Sequence, residues 1–232
     1  RKDGTELSRT RWQIGHDQSR GRLHRHQMKV TMNNMTFYGK SLLFLGAHPD
    51  DIELGCGALL ADLVGQADVF CMTFSDNKKN PDLQNLVNEH TNSMHVLGLQ
   101  DHQFGLGSYE TRRFPDFHQP EIVFVNTPKD IHQDHQTLTE EATRAFRGTT
   151  VLGYDVLRSS YGFFPHFLAE VSQKAVETKI ASLAEYSTYS GRYYFAPDII
   201  RATAIRHGAL AERPFAEGFD IIRIVGQFSK TS

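Results

Sequence analysis

The sequence predicts a three-layer α/β fold with a mostly parallel sheet. Short, continuous apolar runs alternate with longer segments of helical period along most of the chain. The runs are apolar throughout rather than at every second residue, as strands buried on both faces are. Two of them lead into loops that carry histidines and aspartates.

The elements come in this order. Leu42 to Ala47 reads as a buried strand that ends at a polar loop, and Gly55 to Leu63 as a helix with Leu59, Leu60 and Leu63 on one face. Ala67 to Phe74 is a second strand. Asp82 to Leu97 is an amphipathic helix, with Leu83, Leu86, Val87, Met94 and Leu97 at helical spacing and Gly98 as its stop. A short strand near Gln103 to Leu106 precedes Gly107 to Pro120, which contains no helical pattern. Glu121 to Asn126 is a further strand, Thr137 to Phe146 a helix and Val151 to Leu157 a strand. Helices over Gln173 to Tyr186 and Pro197 to His207 lead to a last strand at Phe219 to Val225. A parallel crossover normally needs a dozen or more residues and a helix. The bare connection before Glu121 therefore leads us to expect thin cover over Val123 and Val125.

Composition limits the function classes. The 232 residues suit one large domain, and 39% hydrophobic with 22% charged residues fits a soluble globular chain. A net charge of -2 offers no general field for nucleic acid. No apolar stretch approaches the roughly 20 residues of a membrane span. Two cysteines, Cys56 and Cys71, form no disulfide framework and suit a reducing, cytoplasmic setting; Cys56 reads as a small buried hydrophobe. The first residues are polar and basic, with Arg1, Lys2, Arg9, Arg11, Arg20, Arg22 and Arg25 against Asp3, Glu6 and Asp17, and they hold Trp12. We read residues 1–35 as a disordered or artificial N-terminal extension, with a natural start near Met28, Met32 or Met35, and residues 36–232 as the domain.

The loops after two strands carry the chemistry. Ala47-His48-Pro49-Asp50-Asp51 follows the first strand, and His132-Gln133-Asp134-His135 follows the Glu121 strand. In an open α/β sheet the carboxyl ends of parallel strands converge on one edge, where ligands bind. A catalytic zinc takes three protein ligands from His and Asp or Glu and leaves a place for water. His48, Asp51 and His135 suit that set, with Pro49 stiffening the turn. Asp50 lies between two ligands, where a general base is needed, and His132 is placed to protonate a leaving amine. Asp134 would orient an imidazole. Taken singly, the first motif could be a polar turn and the second a helix cap with Asp134 at the start; taken together, each after a buried strand, they point to a mononuclear metal-dependent hydrolase. Gly55-Cys56-Gly57 reads as a place of close helix–strand packing; a phosphate-cradling turn is the lesser alternative, and the third glycine of a dinucleotide fingerprint is lacking.

The chain resembles the LmbE-like, or PIG-L, de-N-acetylases. Leu45-Gly46-Ala47-His48-Pro49-Asp50-Asp51-Ile52-Glu53-Leu54-Gly55-Cys56-Gly57 is similar to their first signature and Asp130-Ile131-His132-Gln133-Asp134-His135 to their second. Thr73-Phe74-Ser75, Glu89 with Leu97-Gly98, and Ala216-Glu217-Gly218-Phe219 are further matches. The resemblance implies a Rossmann-like fold and zinc-dependent removal, by metal-activated water, of an acetyl group from an N-acetylglucosamine-type sugar or conjugate. It implies His48, Asp51 and His135 as ligands to Zn2+ or another divalent transition metal, Asp50 as base and His132 as acid or oxyanion partner. Departures are Leu86 where the family has Arg, His207-Gly208 for Arg-Gly, and Phe114 to Gln119 running straight into the Pro120 strand without the family's helix. The alternative is a non-catalytic sugar- or metal-binding member whose pocket that shortening impairs. The aglycone has no readable code in the loops around Asn77 to Asp82 and Gly105 to Phe117, and self-association is left open.

Overall fold

The computed structural model describes residues 36–75, 80, 83–107 and 119–226. The chain divides into two units, Arg1–Thr36 and Phe37–Ser232, and the sheet and its helices belong to the second. The extension expected over residues 1–35 lies outside the described residues. So do most of the Asn77 to Asp82 loop and residues 108–118, which hold most of the connection before Pro120.

The elements run β1 (Ser41–Gly46), α1 (Asp51–Leu63), β2 (Asp68–Thr73), α2 (Leu86–Val96), β3 (Phe104–Leu106), β4 (Ile122–Asn126), α3 (Gln133–Ala145), β5 (Thr150–Tyr154), β6 (Phe167–Glu170), α4 (Gln173–Ala184), α5 (Pro197–Leu210) and β7 (Ala216–Arg223). One sheet contains the strands in the order β3-β2-β1-β4-β5-β7-β6. Its first five members are parallel, while β7 runs antiparallel to β5 and β6 antiparallel to β7. The fold is thus α/β with a mostly parallel sheet, as expected. β6 was not anticipated: four residues at a sheet edge, largely half-buried, carry little periodic signal, and their pairing to β7 is a tertiary choice.

Alternate residues of the central strands face opposite layers. Leu42 and Phe44 of β1 with Ile122 and Phe124 of β4 pack against α1, α2, α4 and α5; Leu43, Leu45, Val123 and Val125 pack against Leu138 and Ala142 of α3. This corrects the expectation of thin cover. Val123 and Val125 are both 0% exposed, because α3, which follows β4, lies over them. Each such burial is worth roughly 1.5–3 kcal/mol. The connection before β4 does not join sheet neighbours either: β3 sits at one edge, and β2 and β1 lie between it and β4.

That jump places the site. The chain steps outward from β1 to β2 and β3, returns past β1, and continues outward on the other side through β4 and β5. Strand order reverses between β1 and β4, and a crevice opens at their carboxyl ends.

Helix α1 is broken in its middle. Cys56 has φ -145° and ψ 23° inside the helix, so the ladder of backbone bonds is interrupted there. The freed groups are taken up by two side chains from elsewhere. Lys179 of α4 donates from Nζ to the Leu54 carbonyl at 2.7 Å, and Glu217 of β7 accepts from the Ala58 and Leu59 N–H groups at 3.1 and 2.7 Å. The two side chains also bond each other at 2.7 Å. Just before the break, Gly55 lies against Tyr154 of β5, where an added Cβ would fall 2.0 Å from the ring. Close helix–strand packing is therefore what the Gly55-Cys56-Gly57 segment provides. Cys56 and Cys71 are buried free thiols.

Candidate active site and metal centre

The loop from β1 into α1 turns tightly at His48 to Asp51. Asp50 holds φ 102° and ψ -25°, a left-handed conformation that costs a residue with a Cβ about 1–3 kcal/mol and persists only where its surroundings enforce it. The turn lets Asp51 fold back on the loop: its Oδ2 accepts from the Ala47 and His48 N–H groups, each at 2.9 Å. Its other oxygen is then directed at His135, with Oδ1 3.3 Å from His135 Nε2.

The second loop follows β4. Helix α3 begins at Gln133, earlier than the periodicity suggested, with His132 as its cap. Asp134 therefore lies in the first turn, and its carboxylate meets His48 Nε2 at 2.9 Å instead of capping the helix. His135 turns inward and is buried. Its Nδ1 donates to Asp130 Oδ2 at 2.9 Å, an oxygen that also accepts from the Ser159 and Ser160 hydroxyls at 2.8 and 2.9 Å. Asp130 Oδ1 accepts from the His132 N–H at 2.8 Å. Sequence reasoning gave Asp130 no role. The only signal was its place at the head of the second motif.

The His48 and His135 rings are thereby held in one orientation. His48 Nε2 faces Asp134 and His135 Nδ1 faces Asp130, so the nitrogens left to face the cleft are His48 Nδ1 and His135 Nε2. Those nitrogens lie 3.3 Å apart, and His48 Nδ1 lies 3.7 Å from Asp51 Oδ2. Ligands about 2.0–2.2 Å from a tetrahedral zinc would be separated by roughly 3.3–3.6 Å, so the donor types and spacings of His48, Asp51 and His135 fit a divalent metal. The His132 ring lies beside them, 4.5 Å from the His135 ring and 4.8 Å from that of His48. His48, His132 and His135 offer a looser three-nitrogen set, with atoms up to 4.8 Å apart. The triad with Asp51 is closer and supplies a compensating negative charge.

Electrostatics agree with a centre that favours positive charge. Burial alone would lower the His135 pKa, yet the Asp51 charge and the bond to Asp130 raise it to about 10. Burial works the other way on Asp51, whose pKa nonetheless ends lowered by His135 and His48. Asp50 behaves differently: burial, with the Asp51 and Glu53 charges, pushes its carboxyl well above the usual range. Burial and the two neighbouring imidazoles hold His132 low.

The cluster forms the floor of an open cleft of about 510 Å³. His48, Asp50, Asp51, His132 and His135 line it with Ile131 of the second motif, together with Arg158, Tyr161, Tyr189 and Tyr194, which no motif had marked. The six sequence-predicted residues thus come together, five in the cleft wall and Asp134 behind His48.

No family model matches the chain. It is 26% identical to the uncharacterized deacetylase YaiS of Escherichia coli (strain K12) over 170 residues, 64% of this chain and 91% of that protein. Among solved structures it is similar to the conserved protein TT1542 of Thermus thermophilus, with a TM-score of 0.63 and 20% identity over 83% of this chain and 99% of the other. The N,N'-diacetylchitobiose deacetylase of Pyrococcus horikoshii matches with a TM-score of 0.54 and 18% identity over 79% and 84%. GalB of Pseudomonas putida KT2440, a 4-carboxy-2-hydroxymuconate hydratase, matches with a TM-score of 0.62 and 16% identity over 82% and 100%. At these identities the solved structures speak for the fold. With the curated relative and the two signatures, the comparisons bear out the resemblance to the LmbE-like, or PIG-L, deacetylases. Among the described residues, no helix is long and apolar enough to cross a membrane.

Proposed function

We propose that this chain is a metal-dependent N-deacetylase that hydrolyses the acetamido group of an N-acetylglucosamine-type sugar or its conjugate. The observation that carries this reading is the convergence of His48 Nδ1, Asp51 and His135 Nε2, each with its remaining polar atoms occupied by a carboxylate or the backbone. These three residues would hold the metal, with zinc favoured because imidazole ligands suit it. When bound, such an ion polarises an amide carbonyl and makes water more acidic.

The rest is done by side chains. Asp50, buried beside Asp51 at the cleft wall, accepts the proton of the attacking water. The water oxygen bonds to the acetyl carbon, the carbon–nitrogen bond breaks, and the products are acetate and a free amine. His132 supports the second half. Its Nδ1 accepts from the Asp134 N–H at 3.2 Å, which places its ring proton on Nε2, ready for the leaving nitrogen. Asp134 and Asp130 hold the other two imidazoles in orientation. The buried, unpaired thiols support a reducing, cytoplasmic setting.

A second reading keeps the fold and discards the activity. The likeness to a hydratase shows that this architecture hosts other chemistry, and a non-catalytic sugar- or metal-binding protein would retain the same cleft. Incubation of the zinc-loaded protein with a panel of N-acetylated sugars, followed by acetate assay, separates them. Acetate release lost in Asp50→Asn supports the deacetylase; saturable binding of sugars with no acetate from any of them supports the alternative.

A further inference from the structure

The upper wall of the cleft carries positive charge that the protein leaves unmatched. Arg158, in the loop after β5, lines the cleft with Tyr161, Tyr189 and Tyr194. Its guanidinium lies 5.9 Å from the centre of the Tyr194 ring. Arg192 lines an adjoining cavity that shares Tyr189 with the cleft; its guanidinium lies 4.7 Å from the centre of the Tyr189 ring, and its Nη1 donates to the Tyr194 hydroxyl at 3.3 Å. Tyr194 therefore touches both cations.

Several arginines elsewhere are matched. Arg144 holds Glu140 and Glu141, Arg201 holds Glu177, and Arg213 holds Glu170, all within 3.0 Å. Among the described residues, neither Arg158 nor Arg192 has a carboxylate within the 4.0 Å of an ion pair. The cleft's own acids lie lower down, where Asp51 faces His135 and Asp50, which feels the Arg192 charge, lies beside it. Neither guanidinium spends its donors on a carboxylate, and a planar guanidinium fork matches the oxygens of a phosphate or a carboxylate. Because both groups contact Tyr194, their charges act on the same end of the cleft. A polyanion is not indicated, since the chain's net charge is -2.

We propose that the ligand of this cleft carries an anionic substituent, a phosphate or a carboxylate, and that Arg158 and Arg192 bind it while the acetamido group lies over His48, Asp51 and His135. For the reaction, though not for the binding, this rests on the deacetylase reading. The anion sits away from the reacting amide, so its contribution appears in KM more than in kcat. A charge-assisted contact of this kind is worth about ten- to hundredfold in affinity.

The test compares N-acetylglucosamine, N-acetylglucosamine 6-phosphate and an N-acetylglucosaminyl uronate as substrates. Calorimetric binding of glucosamine 6-phosphate against glucosamine is measured alongside and needs no turnover. Each is run on the wild type, Arg158→Gln and Arg192→Gln, with Arg144→Gln on the far end of α3 as control. The expected result is a preference for one or both anionic sugars of about ten- to hundredfold, reduced about tenfold or more by Arg158→Gln or Arg192→Gln and untouched by Arg144→Gln. A phosphate-only preference or a uronate-only preference names the source. Anionic sugars that bind and react no better than neutral ones overturn the inference and leave the deacetylase reading intact. So does a preference that survives both cleft variants. Binding of glucosamine 6-phosphate that depends on Arg158, with no acetate released from any substrate, sustains this inference and sinks the deacetylase reading.

Discussion

Helix α1 carries two buried polar clusters a few residues apart, built in opposite ways. At its break, Lys179 and Glu217 meet the Leu54 carbonyl and the Ala58 and Leu59 N–H groups, so each charge meets its opposite and each freed backbone group has a partner. At its start, Asp50 is left-handed and its carboxyl is crowded by Asp51 and Glu53, while His48 Nδ1 and His135 Nε2 are turned toward one another. The first cluster is complete within the protein. The second is completed only by something that supplies positive charge. Buried polar groups in the first arrangement hold a fold together; in the second they are available for chemistry. Substitutions in the two clusters should therefore separate stability from activity.

Turnover at the open cluster should change most. Asp50→Asn keeps the shape and tolerates the positive φ, yet the amide accepts no proton. Acetate release should fall by about 10²–10⁴-fold with little change in melting temperature. Full activity in this variant would remove Asp50 from the mechanism. At the closed cluster the pattern should invert. Lys179→Met leaves the buried Glu217 charge unpaired and should cost about 3–5 kcal/mol of stability, read by urea unfolding. The double variant Lys179→Met, Glu217→Gln should recover part of that loss, because no lone charge then remains. A single variant as stable as wild type would show that the pair is incidental to the helix break.

A smaller effect is expected one layer behind the metal ligands. Asp130→Asn weakens the hold on His135, which should lower zinc affinity by about 10–100-fold; competition with a chelating indicator measures it. Least of all should change with pH. His207 lines a cavity of about 30 Å³ beside Lys179 and Glu217. Burial, aided by the Arg206 and Lys179 charges, lowers its pKa to about 4. The folded protein then binds fewer protons there than the unfolded chain, so this histidine's contribution to stability is present above its ordinary pKa near 6.5 and is lost as pH falls toward 4. Asp155 lines the same cavity with its carboxyl raised by burial to about 6, and it acts in the opposite sense. Comparison of wild type with His207→Gln isolates the histidine: the gap between their melting temperatures should narrow between pH 7 and pH 4.5. A constant gap would mean that His207 titrates alike in both states.

How far the sequence could be read depends on the same division. Continuous apolar runs declared β1, β2, β4 and β5, and the two His/Asp motifs declared the open cluster, because a catalytic loop concentrates its residues in a few positions after a strand. The closed cluster was invisible. Lys179 and Glu217 come from elements far from α1 in sequence, and nothing in Leu54 to Leu59 announces that its backbone groups need outside partners. Asp130 was hidden in part, standing in a motif without a role until Ser159 and Ser160 were seen to converge on it. The cleft's arginines and tyrosines lie in irregular segments with no periodicity, so only the fold could gather them. Strand β6 and the early start of α3 were missed because short edges and helix caps depend on tertiary partners more than on local pattern.

Everything proposed for the reaction depends on His48, Asp51 and His135 forming one metal site. Elemental analysis of protein purified without chelator, alongside His135→Ala and Asp50→Asn, reads that site without reference to any substrate. The geometry predicts one divalent ion per chain in the wild type and in Asp50→Asn, and a large loss of metal in His135→Ala. Equal metal content in His135→Ala and wild type, or none in any of the three after zinc is added back, would contradict it.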